Sequence, residues 1–159
     1  MFFGICREDY LMLSKKNSSS VEVARSFFSA YDQHEVEWMV EACTEDAELQ
    51  YVPMGRHGQG PVRAVGKQFW SGLIDAFPDL HVTVKSAFGD DQNAAAEVTI
   101  GGTQHKNFLD IPNQSKHYEL LHAFLLRLND EGKITRVTAY WDNLDFYSQL
   151  GVEPLRKAA

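Results

Sequence analysis

Residues 80–102, LHVTVKSAFGDDQNAAAEVTIGG, decide the fold. Apolar side chains recur at every second position on both sides of the turn-forming run Gly89-Asp90-Asp91-Gln92-Asn93. The stretch therefore reads as two strands, His81 to Phe88 and Ala94 to Gly102, joined tightly. The same period of two returns in His117 to Leu128 and in Ile134 to Trp141. A Gly- and Pro-containing excursion precedes the first of these, and Asn-Asp-Glu-Gly separates them. Long consecutive strands with short connections predict an antiparallel sheet.

Upstream, the period changes to that of a helix. Phe69, Trp70, Leu73, Ile74 and Phe77 form an apolar stripe that Pro78 stops. Before it, Ala47 to Val52 alternates and ends at Pro53, which predicts one strand leading into the loop MGRHGQGP, Met54 to Pro61. Val21, Ala24, Phe27, Phe28 and Tyr31 follow capping serines and predict a first helix to about Gln33. A short second helix is expected over Val36 to Cys43. At the other end Leu144, Phe146, Tyr147 and Leu150 lie before Gly151, the signature of a short closing helix. Helices segregated from an antiparallel sheet make an α+β fold.

The chain has 159 residues, 44% of them hydrophobic and 23% charged. That suits one domain burying about 70% of its unfolded surface. The domain is expected over 20–152, with a poorly ordered serine-rich leader over 1–19 and a tail over 153–159. Against 22 Asp and Glu stand 15 Lys and Arg, a net charge of −7. Such a balance disfavours a nucleic-acid partner, because the counterion-release gain needs clustered cations. No apolar run is long enough to span a membrane, and Arg7, Glu8 and Asp9 break the apolar opening before a signal core forms. Cys6 and Cys43 form neither a disulfide framework nor a CxxC pair, so reduced thiols and a cytoplasmic location are expected.

Cofactor and metal motifs are missing. The six histidines form no HExxH, and GRHGQG at Gly55 to Gly60 has neither the spacing nor the context of a dinucleotide loop. Ser71 lacks a nucleophile elbow, and Cys43 has no neighbouring histidine. Neither a cofactor nor a metal is expected.

Three strings carry a resemblance: FPDLHVTV at Phe77 to Val84, GTQHKNFLDIPNQSK at Gly102 to Lys116, and YWDNLDFYSQLG at Tyr140 to Gly151. Together, in this order, they resemble the SnoaL-like polyketide cyclase family of the nuclear transport factor 2-like superfamily. The resemblance implies a strongly curved sheet with N-terminal helices, an α+β roll enclosing a cone-shaped pocket. It also implies cofactor-free chemistry on a hydrophobic small molecule, and homodimers built on the outer face of the sheet. The activity so implied is acid/base catalysis on a carbonyl compound, by intramolecular aldol cyclisation or a related isomerisation. Dehydratases, epoxide hydrolases and non-catalytic binding or dimeric interaction domains share the superfamily, so fold alone does not choose among them.

Asp142 stands where the resemblance places an acid/base aspartate, and its strand parity is that of Thr138 and Tyr140. Two roles are open to it: a proton carrier raised in pKa by aromatic neighbours, or the N-cap of the closing helix. His122 interrupts the apolar run LLHAFLL and is either an assisting acid/base group or a satisfied core histidine. Tyr51, Trp70, Glu119, Tyr140 and Trp141 are the candidate substrate contacts. Glu119 and His122 have opposite parity, so one of them should face outward. His57 belongs to the glycine-containing loop and either borders the pocket or is solvated. The chain departs from the family pattern at Thr138, commonly tryptophan, and at Ala139, often acidic. Both changes remove bulk or polarity from the strand before Asp142.

Overall fold

The structure is a computed structural model describing residues 19–153, and expectations for the leader, Cys6 and the tail otherwise lie outside those residues. Ser19, expected in the leader, belongs to the fold: its side chain accepts from Glu22 N–H while Glu22 reaches back to Ser19 N–H, a reciprocal cap. It starts helix α1, Ser20–Asp32, which α2, Val36–Glu41, follows. Strand β1 is Cys43–Tyr51; a 3₁₀ segment, Val52–Gly58, leads to the short β2, Gln59–Pro61, then a π turn and α3, Lys67–Ala76. The long strands are β3, His81–Gly89, β4, Asn93–Thr103, β5, His117–Leu128, and β6, Ile134–Trp141. Helix α4, Asn143–Gln149, closes the chain.

The six strands form one open sheet in the order β2-β1-β6-β5-β4-β3. Neighbours are antiparallel, except that β1 runs parallel to β6, which the sequence reading did not anticipate. β1 also begins four residues earlier than expected, at the cost of α2. A register shift between Cys43 and Glu48 disrupts the alternation there, so the period of two becomes readable only from Ala47. Further shifts between Val84 and Ser86 and between Arg127 and Leu128 bend β3 and the β5–β6 pair. The segment expected as a loop is largely ordered backbone, with β2 paired to β1 and Gly58 packed against Tyr51. His57 is exposed.

Curvature gives the sheet a concave face, and α1 and α3 pack into it. Phe28 of α1 meets Phe124 of β5 edge-on at 4.9 Å, and Phe27 meets Trp70 of α3 at 5.6 Å. One buried cluster runs from α1 through α3 to every long strand. Asp32, at the end of α1, accepts from Val82 N–H at 2.7 Å, and Ser20, at its start, bonds the β3–β4 turn. Both ends of α1 are thus tied to β3 and its turn. No described helix is long and apolar enough to cross a membrane.

Candidate functional site

The even-numbered residues of β5 face the helices. Tyr118, Leu120, His122 and Phe124 line the concave face, and Trp141 of β6 is the direct register partner of His122. Tyr51 arrives from the end of β1, Tyr31 from α1, and Phe69 from α3. Phe108 and Leu109 of the β4–β5 crossing, with Asn143 and Phe146 at the closing helix, complete the wall. Between them lies a cavity of about 40 Å³, room for a few waters.

His122 is the ionisable ring in this aromatic setting. It is 9% exposed, 5.4 Å from the Trp141 ring and 6.0 Å from that of Phe124. Its Nδ1 lies 3.0 Å from the Leu120 carbonyl oxygen. A carbonyl only accepts, so Nδ1 carries the hydrogen and, in the neutral ring, Nε2 keeps the lone pair. Burial lowers the pKa from the ordinary 6.5 to about 4, although hydrogen bonding to the Leu120 and Val98 backbone pulls the other way. The ring is neutral at pH 7.

Tyr51 supplies a directed hydroxyl. Trp70 Nε1 donates to its oxygen at 2.6 Å, so the phenolic hydrogen is left to donate elsewhere. Burial pushes the hydroxyls of Tyr31, Tyr51 and Tyr118 well above their usual range, so all three remain protonated donors. At the rim Trp141 Nε1 donates to Asn143 Oδ1 at 3.2 Å.

Of the residues expected at the site, His122, Tyr51 and Trp141 come together there, with Trp70 behind Tyr51. The others require correction. Asp142 is exposed, and its Oδ1 accepts from Asp145 N–H at 3.0 Å as the N-cap of α4. Its neighbours Trp141 and Asn143 line the cavity and it does not. Tyr140, 45% exposed, and Glu119 lie on the convex face. Glu119 there accepts from His81 Nε2 at 3.0 Å, above Gly101, where a Cβ would lie 2.6 Å from its Oε2. The inward side of β6 carries Val137, Ala139 and Trp141, opposite in parity to the side chosen from sequence. Tyr118 was legible in principle, since it shares parity with His122; Tyr31 sat on the apolar stripe of α1 and read as core. Phe108 and Asn143 lay within the strings that carry the resemblance but were not read as site residues. Among the described residues no three His, Cys, Asp or Glu side chains converge as metal ligands would.

A family profile described as SnoaL-like polyketide cyclase matches residues 21–150. The chain belongs to the SnoaL-like polyketide cyclase family. Solved structures agree in fold. AclR from Streptomyces galilaeus superimposes with a TM-score of 0.72 at 19% identity, over 90% of this chain and 88% of that one. IdmH from Streptomyces antibioticus gives 0.70 at 21%, over 85% of this chain and 100% of that one. A Catenulispora acidiphila protein with a ketosteroid isomerase-like fold gives 0.67 at 18%, over 82% and 93%. No curated protein matches the sequence. In this chain the concave wall carries a neutral histidine and tyrosines, while the aspartate after β6 caps a helix.

Proposed function

We propose that this SnoaL-like protein is a cofactor-independent acid/base enzyme acting on a hydrophobic 1,3-dicarbonyl compound, with His122 as base and Tyr51 as hydrogen-bond donor. The observation that carries the reading is the His122 ring, buried and neutral among aromatic walls with Nδ1 tethered to the Leu120 carbonyl. A base with a pKa of about 4 removes only acidic protons efficiently, which selects a carbon flanked by two carbonyls. That proton passes to Nε2, and the Tyr51 hydroxyl donates to the enolate oxygen. The enolate carbon then attacks a third carbonyl of the same molecule, beyond the two that flank it, and the resulting alkoxide recovers the proton from Nε2. The sum is a ring closure with no net gain or loss of protons. Since the cavity holds only a few waters, a substrate enters by displacing side chains at its mouth, where Leu109 is exposed and Met54 half-buried. Asp142 has no proton-transfer role in this reading.

The test is deuterium exchange at the central carbon of an aryl β-keto ester, followed by proton NMR. Wild-type protein accelerates exchange, His122→Gln loses at least about 100-fold, the low end for general-base catalysis, and Asp142→Asn retains the rate. Loss in Asp142→Asn with retention in His122→Gln would overturn the assignment. A second reading rests on the same low basicity: the cavity is a non-catalytic binding site. Quenching of tryptophan fluorescence by the ester in wild type but not in Trp141→Phe, without any exchange, would favour it.

A further inference from the structure

The concave cavity has polar groups that the proposed reaction leaves unused. Tyr31 of α1 and Tyr118 of β5 both line its wall, and at 1% and 2% exposure both are deep in the core. The Tyr51 hydroxyl accepts from Trp70 and the Tyr147 hydroxyl donates to Asp110. Among the described residues the hydroxyls of Tyr31 and Tyr118 have no such partner. Thr44 Oγ1 is the one side-chain nitrogen or oxygen among the described residues that is both sealed from solvent and unpartnered. The two phenols are therefore not walled in by protein, and their hydroxyls open on the cavity.

A buried hydroxyl without a partner is destabilising, and phenylalanine would fill either place without that cost. The arrangement is complete only when something in the cavity accepts from both. Burial keeps the two phenols protonated, so each offers a hydrogen, and Tyr31 lies within electrostatic reach of Tyr118 as well as of Tyr51. No Lys or Arg lines the cavity, so the matching acceptor is neutral rather than a carboxylate. A carbonyl oxygen, with two lone pairs, can take both hydrogens. Tyr118 and His122 stand on the same face of β5, four residues and roughly 13 Å apart along the strand. The two polar points call for one ligand with an acceptor at each end.

We propose that Tyr31 and Tyr118 together hold a carbonyl of the substrate that takes no part in bond-making, at the end away from the 1,3-dicarbonyl. The inference rests on the proposed function and narrows its substrate to an extended polycarbonyl compound. Both tyrosines are specificity contacts in this scheme, and His122 and Tyr51 keep the roles already given.

Isothermal titration calorimetry of the full chain tests this with two aryl β-keto esters. One carries a para-acetyl group, the other a para-isopropyl group of similar shape without the oxygen. Wild type binds the acetyl ester at least tenfold more tightly, as about two hydrogen bonds imply. Tyr31→Phe and Tyr118→Phe each lose part of that preference and the double variant loses all of it, while none melts at a lower temperature than wild type. A preference absent from wild type, or surviving in the double variant, overturns the proposal. So does a lowered melting temperature in both single variants, which would show the hydroxyls already satisfied by interior water. Preferential binding without deuterium exchange would remove the base role of His122 and leave the tyrosine contact standing; exchange without the preference would do the reverse. If neither ester binds, both fall.

Discussion

His122 makes the fold sensitive to pH in a direction fixed by its surroundings. Unfolded, the ring takes a proton near 6.5; folded, only near 4, because burial among Phe124 and Trp141 penalises the cation. Between these values the unfolded chain binds more protons, so stability rises with pH. The contribution of the neutral ring is whole above about 6.5 and is lost as the pH falls toward 4. A shift of that size corresponds to about 3 kcal/mol. Urea unfolding at pH 7 and at pH 4.5 should therefore show wild type losing about 2–3 kcal/mol more than His122→Leu. Equal losses in the two proteins would mean that the folded ring titrates as it does in water. In the proposed reaction the same titration places the acid limb of kcat/KM near pH 4, well below the limb an exposed histidine gives.

At the scale of elements, α4 depends on its first residue. The helix has seven residues and cannot stand alone, yet it places Phe146 against Tyr118 at 4.9 Å and closes one side of the cavity. Asp142→Ala removes the cap on Asp145 N–H and should cost about 1 kcal/mol in chemical denaturation, while Asp142→Asn, itself a good cap, should cost a few tenths. A loss of several kcal/mol in Asp142→Asn would show that the charge does more than cap. The elements themselves were largely readable: β5 and β6 have the bounds that period two assigned, because turn residues mark the end of one and the start of the other. The start of β1 was hidden by its register shift, and its parallel pairing with β6 is a tertiary choice with no local signal. The inward parity of β6 was hidden for another reason. Val137, Thr138 and Ala139 are all buried, so alternation in ITRVTAYW does not say which set faces the helices. That ambiguity put Tyr140 into the expected site and left Asp142 with an inward direction it does not have. For β5, the apolar run LLHAFLL left open whether Glu119 or His122 faces inward, and the strict alternation of buried and exposed residues in the structure decides for His122.

At the scale of the whole molecule, the helices and the sheet share one core, and Phe124 is where they meet. Its ring touches Phe28 of α1 at 4.9 Å and faces Tyr51 of β1 at 6.4 Å and His122 on its own strand at 6.0 Å. With the side chain 2% exposed, Phe124→Ala leaves a void that α1 and the sheet cannot both collapse to fill. The cost should be about 3–5 kcal/mol, a large share of the ~5–15 kcal/mol that holds such a domain together. Because α1 is anchored to β3 at both ends, the layers have no independent way to separate. Far-ultraviolet circular dichroism reports mainly on helices, and fluorescence reports on Trp38 of α2 and Trp70 of α3 together with Trp141 of the sheet. In wild type and in Phe124→Ala the two signals should give coincident urea midpoints, shifted together by the substitution. If circular dichroism is lost at lower urea than fluorescence, the helices melt from an intact sheet. The cavity would then be a docked interface between two units, and access to His122 would be set by undocking of α1 rather than by side chains at the mouth.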